Sequence, residues 1–181
     1  GHAKTPDNPH IWLDPANARA MVSEIARVLG IAYPARLARY AANAAKARAE
    51  LKALETALAA ELQPVQGRAY LVMHDAYQHF ESRFGVPAVG IVNLDDTRIP
   101  GARRLRLLRR QLAVRKVHCV FSEPGLQPRV LDVLTSGTTA RRGDLDPLGA
   151  GLAAGPGHYA AMMRALARAL VTCLGAAGPT R

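Results

Sequence analysis

The hydrophobic pattern changes period abruptly at one place in this chain, and that change constrains the fold more than any other feature. From Ala69 to Gly85 the sequence reads AYLVMHDAYQHFESRFG. AYLVM is an unbroken apolar run of strand length. After it, Ala76, Tyr77, Phe80 and Phe84 recur three and four apart, as on one face of a helix. Gly85 follows where helix ends favour glycine. A strand feeding a helix places His74 at the carboxyl end of a sheet strand, where open α/β sheets bind ligands. A histidine there is either a metal ligand or a catalytic group.

The rhythm then repeats. PAVGIV (87–92) is a second strand, and 93–99, with two Asp, is a loop. A helix from Pro100 turns Leu105, Leu108 and Leu112 inward and Arg103, Arg104, Arg106, Arg109 and Arg110 outward. Residues 117–121 form a third strand ending in Ser122-Glu123-Pro124, and 127–135 a short helix. Residues 141–145 form a fourth strand ending at Asp146-Pro147, and 159–174 a last helix. Alternation of this kind predicts a parallel four-stranded sheet with flanking helices, an α/β fold.

Two helices precede it. Asp14-Pro15 is an N-cap followed by the preferred first helical residue, and that helix carries Met21, Ile25, Val28 and Leu29 before closing at Gly30. A longer one runs from Pro34 to Leu62, with apolar residues every three to four positions. At 29 residues it spans about 43 Å, longer than a small lobe is wide, so it reads as a spine linking two parts of a structure.

Composition narrows the function classes. The chain is 49% hydrophobic and 21% charged, an ordinary globular balance. Its formal charge of +10 suits an anionic partner, but three Phe, five Tyr and one Trp leave little to stack on bases, which argues against nucleic-acid binding. No apolar run approaches the roughly 20 residues of a membrane span. The sequence begins at Gly1 with neither an initiator Met nor a leader, as expected of a mature chain or a piece of one. Cys119 and Cys173 are one disulfide or two buried thiols, and their number does not choose.

The strand ends gather the chemistry. His74-Asp75, Glu123 and Asp146 follow the first, third and fourth strands, and parallel strands bring their carboxyl ends to one edge. Histidine with carboxylates is a ligand set for zinc, manganese or iron. His79 lies about 140° round its helix from His74 and reads as surface or satisfied. His118 is expected to face away from Cys119 across its strand, and His2 and His158 have no evident role.

NPHIWLDP, LVMHDAYQHFESRFGV, CVFSEP and LDPLGA, in this order and at these separations, resemble the cluster A-I metal-binding proteins of ABC transporters, and within them the zinc-uptake (ZnuA-like) periplasmic branch. The resemblance runs from about Asn8 to Leu174. It implies a two-lobed, non-enzymatic solute-binding protein whose lobes are joined by one long helix. Residues 1–33 would be a remnant of the amino-terminal lobe, 34–62 the linking helix and 63–181 the carboxyl-terminal lobe. It implies a metal site of His10, His74 and Asp146. Asp75 and Glu123, at the strand ends, read as groups that orient a histidine ligand.

Histidine rather than carboxylate at position 74 points to Zn²⁺, with Mn²⁺ the runner-up. The resemblance also pairs Cys119 with Cys173, which places the chain in the oxidising periplasm, and names an ABC permease of the inner membrane as partner. The family carries a further lobe with another histidine ligand ahead of NPHIW. Without that lobe, the apolar face of the 14–30 helix and the front of the spine would be uncovered, an invitation to homo-oligomerise. The rival readings are a zinc-dependent hydrolase using Glu123 as base, and a metal-free oligomerising domain.

Overall fold

The computed structural model describes residues 8–93, 100–124 and 128–175. The chain forms helices α1 (Pro15–Ala32) and α2 (Leu37–Leu62), then strand β1 (Tyr70–Val72) and helix α3 (Gln78–Phe84). Strand β2 (Gly90–Ile91), helix α4 (Ala102–Val114), strand β3 (Cys119–Ser122) and helix α5 (Pro128–Thr135) follow. Strand β4 (Arg141–Asp144) and helix α6 (His158–Gly175) complete it. The four strands are parallel, in the order β2-β1-β3-β4, as the alternating pattern predicts. The expected loop at 93–99 and the start of the 127–135 helix lie largely outside the described residues.

The pleat sorts side chains between two layers. Tyr70, Val72, Cys119 and Phe121 face a core built with Leu54, Leu58 and Leu62 of α2 and with Met163, Leu166 and Leu170 of α6. Leu71 and Val120 face the other way, onto Leu108 and Leu112 of α4 and Leu131 and Leu134 of α5. Cys119 therefore points at α6, where it is joined to Cys173 in a disulfide.

The second strand is shorter than expected, Gly90–Ile91 rather than 87–92, and the first two helices differ at their ends. The first helix does not close at Gly30 but continues to Ala32, because Gly30 is buried where a Cβ would meet Leu37 Cδ1 at 2.5 Å. That glycine is a close-packing position, not a stop. The spine begins as a 3-10 turn at Pro34–Arg36 and is α-helical only from Leu37. At 26 residues α2 is about 39 Å long. Only Leu54, Leu58 and Leu62 of it are buried. Its front packs along α1, and Met21, Ile25, Val28, Ile31, Tyr33 and Leu37 remain 40–68% exposed. Among the described residues no helix is long and apolar enough to cross a membrane.

An ion network fixes α1 to the sheet-bearing half. The Asp14 carboxylate accepts from Ala16 N at 2.7 Å, as an N-cap should. It also takes a bidentate pair from Arg83 of α3, at 2.7 and 2.8 Å. Arg83 reaches Glu55 of α2 at 3.5 Å, and Arg19 of α1 meets the same carboxylate at 2.6 Å. Burial alone would raise Glu55, but hydrogen bonds from Arg19 and Lys52 prevail and hold it below its ordinary value.

The disulfide closes a 54-residue separation. In the chain-entropy treatment this stabilises by about 4 kcal/mol. Cys119→Ala/Cys173→Ala should therefore lose about 3–5 kcal/mol in urea unfolding, and the unchanged protein should show no reactive thiol when denatured without reductant.

Candidate metal centre

The residues expected to hold a metal lie at the carboxyl edge of the sheet. His10 ends the segment that precedes a 3-10 turn at Ile11–Leu13 and the cap of α1. His74 follows β1 two residues after Val72. Their rings are 5.2 Å apart between centroids, and the two Nε2 atoms are 3.4 Å apart.

The far side of each ring is engaged. His74 Nδ1 is 2.5 Å from Glu123 Oε1, at the end of β3. His10 Nδ1 is 2.9 Å from Asn8 Oδ1. The Asn8 amide cannot be turned round: Nδ2 donates to Asp75 O at 2.6 Å, while Oδ1 accepts from His10 N at 3.0 Å. Both partners of the Nδ1 atoms are thus acceptors. Assigned from this network, each neutral ring carries its proton on Nδ1 and an acceptor lone pair on Nε2. With those tautomers both Nε2 atoms are free to bind a cation placed between them.

The surroundings hold this arrangement. Tyr77 donates to Glu123 Oε1 at 2.9 Å and lies 3.1 Å from Leu145 O, so it braces the carboxylate against the strand after which Asp146 comes. Burial first, and the Glu123 carboxylate second, push the Tyr77 phenol far above its ordinary value, so it stays protonated. Trp12 Nε1 donates to Pro147 O at 2.9 Å, and Tyr159 OH donates to Trp12 O at 2.8 Å. The His10 segment is thereby tied to the Asp146 turn and to α6.

Asp146 is placed differently from the histidines. Its Oδ1 accepts from Leu148 N at 3.0 Å and Gly149 N at 2.8 Å, a turn that needs the positive φ of Gly149. Among the described residues no three His, Cys, Asp or Glu side chains are grouped to hold a metal ion. The structure therefore brings His10, His74 and Glu123 together and leaves Asp146 in the adjoining turn. Asp75 contributes its backbone carbonyl to Asn8, and its carboxylate takes the Gln78 amide. His79 is satisfied by Asn8 O at 3.0 Å, and His158 stands 3.0 Å from Leu148 O. Asn8 is the residue sequence reasoning missed. Its only signal was its place two residues before His10 in NPHIW.

Comparison with known proteins bears on this geometry. A sequence model of the family described as "Zinc-uptake complex component A periplasmic" matches residues 1–173. The chain belongs to that family. The ZnuA high-affinity zinc uptake system protein of Brucella abortus is 42% identical over 165 residues, covering 91% of this chain and 49% of that protein. The ZnuA of Paracoccus denitrificans is 41% identical over 170 residues, 93% of this chain and 52% of that one.

The chain thus spans about half the length of these zinc-uptake relatives. Among solved structures, a ZnuA crystal structure superposes with a TM-score of 0.80 at 25% identity, over 95% of this chain and 62% of its own. The binding protein FpvC of Pseudomonas aeruginosa, solved with Mn²⁺, shares the fold at a TM-score of 0.79 and 23% identity, over 93% of this chain and 64% of its own.

The tautomers are measurable. In metal-free protein, long-range ¹⁵N–¹H correlation spectra should show both His10 and His74 as Nδ1–H rings. Asn8→Ala should release His10 alone to the Nε2–H form.

Proposed function

We propose that this chain captures Zn²⁺ as the metal-binding part of a periplasmic solute-binding protein and passes it to an ABC permease of the inner membrane. The observation that carries this reading is the approach of the two Nε2 atoms to 3.4 Å. In a tetrahedral zinc site with Zn–N of about 2.0–2.1 Å, two nitrogens stand about 3.4 Å apart. The spacing is set before any ion arrives, and each ring donates its other N–H to an oxygen that fixes its orientation, as ligating histidines do.

His10 and His74 would supply the nitrogens. Asp146, with Oδ1 held by two amides, would offer Oδ2 once its turn is drawn toward the pair, and a fourth position would be taken by water or by a group outside this chain. Glu123 serves as the acceptor behind His74. That role, with Tyr77 on the same oxygen, supports coordination over hydrolysis. Two imidazoles favour zinc over manganese. Nothing is transformed: capture is coordination, and release follows when the ligands part.

The long helix supports a division in which residues 1–33 belong with an amino-terminal lobe, 34–62 link, and 63–181 form the carboxyl-terminal lobe. Only the last third of α2 is buried against the sheet. The exposed apolar face of α1 and the front of α2 supports self-association of the chain as it stands.

Calorimetric titration tests the assignment. The chain should bind one zinc per molecule far tighter than millimolar, and manganese more weakly. His74→Ala should lose more than about 100-fold and Asp146→Ala about tenfold or more. No binding tighter than about 1 mM would overturn the reading.

A further inference from the structure

Helix α4 carries a charge pattern that opposes its own stability. From Pro100 to His118 the sequence holds seven Arg and Lys and no Asp or Glu. Two of them serve the fold. Arg104 donates to Ile91 O at 2.5 Å, and Arg109 donates to Val133 O at 2.6 Å and Ser136 O at 2.8 Å.

Arg103, Arg106, Arg110, Arg115 and Lys116 are exposed, and among the described residues none of them has an acidic partner. Arg103, in the first turn, opposes the helix dipole, whereas Arg115 and Lys116 at the C-terminal end suit it. Like charges three and four apart, as in Arg103–Arg106 and Arg106–Arg110, repel. The inward side is fixed, because Leu108 and Leu112 are buried in the core. The outward stripe is Arg103, Leu107, Arg110 and Val114 at spacings of four, three and four. Leu107 is 48% exposed and Val114 82%.

We propose that this outer stripe of α4 docks on an anionic phospholipid surface. The guanidinium groups pair with lipid phosphates, for which their planar fork is suited, and Leu107 and Val114 sit below the phosphate level. Charge complementarity selects a polyanion, since among the described residues no acidic side chain pairs with Arg103, Arg106 or Arg110. The apolar residues set between the arginines select a bilayer over an acidic protein face, because they gain by entering the acyl boundary. The stripe is independent of the metal centre, so this inference stands or falls separately from the zinc reading.

The test is partition of the full chain onto phosphatidylcholine vesicles with and without phosphatidylglycerol. Binding should require phosphatidylglycerol and disappear at about 0.5 M salt. Arg103→Gln/Arg106→Gln/Arg110→Gln should lower the partition coefficient by about 30-fold or more. Arg36→Gln/Arg39→Gln/Arg48→Gln, which removes the same charge from exposed positions at 36–48, should lower it by less than about threefold.

Leu107→Ser/Val114→Ser keeps every charge and should still weaken binding several-fold. That variant decides the matter should the triple one not fold. Equal losses from the two triple variants, binding to neutral vesicles, or an unchanged Leu107/Val114 variant would overturn the proposal. Binding to polyglutamate but not to vesicles would also overturn it, assigning the stripe to an acidic protein.

Discussion

Two acceptors placed behind two imidazoles govern the site. Glu123 behind His74 and Asn8 behind His10 draw the ring protons to Nδ1 and leave the Nε2 atoms 3.4 Å apart. This arrangement depends on partners that are themselves held. Glu123 shares its oxygen with Tyr77, and Asn8 is clamped between Asp75 O, His79 and the backbone of His10. If His10 and His74 ligate zinc as proposed, the hydrogen bonds behind the rings set their affinity as much as the rings themselves.

Holding the two histidines together requires joining segments 64 residues apart in the chain. The Asp14–Arg83–Glu55–Arg19 network fastens α1 to α2 and α3 just beyond each histidine. Trp12 and Tyr159 fasten the His10 segment to the Asp146 turn and α6. The disulfide fastens α6 to the sheet. Each link is local in space and distant in sequence, so the site is only as rigid as the lobe. The front of α2 and the apolar face of α1 lack such cover among the described residues.

Much of this was legible in the sequence for physical reasons. The change of period at His74 marked a strand end, and parallel strands must deliver their carboxyl ends to one edge, so His74, Glu123 and Asp146 were expected there. The strand order that makes His74 and Glu123 neighbours came from the structure. Asp14-Pro15 announced its cap. Gly30 misled because glycine stops helices as often as it admits a close neighbour, and Leu37 lies beyond any local pattern.

Asn8 was invisible because its role is written in its partners: Asp75 lies 67 residues on, and no spacing rule reaches that far. The orientation of the Asp146 carboxylate was hidden likewise, since the turn residues that claim Oδ1 also suit an ordinary Asx turn. The cysteine pairing came from resemblance, because a separation of 54 residues says nothing of contact.

Zinc K-edge X-ray absorption of the zinc-loaded chain reads the coordinating atoms themselves. The first shell should contain two imidazole nitrogens at about 2.0 Å, with oxygen completing four-coordination. That imidazole scattering should fall by half in His10→Ala. A shell of oxygens alone, or one unchanged by loss of His10, would contradict the zinc reading.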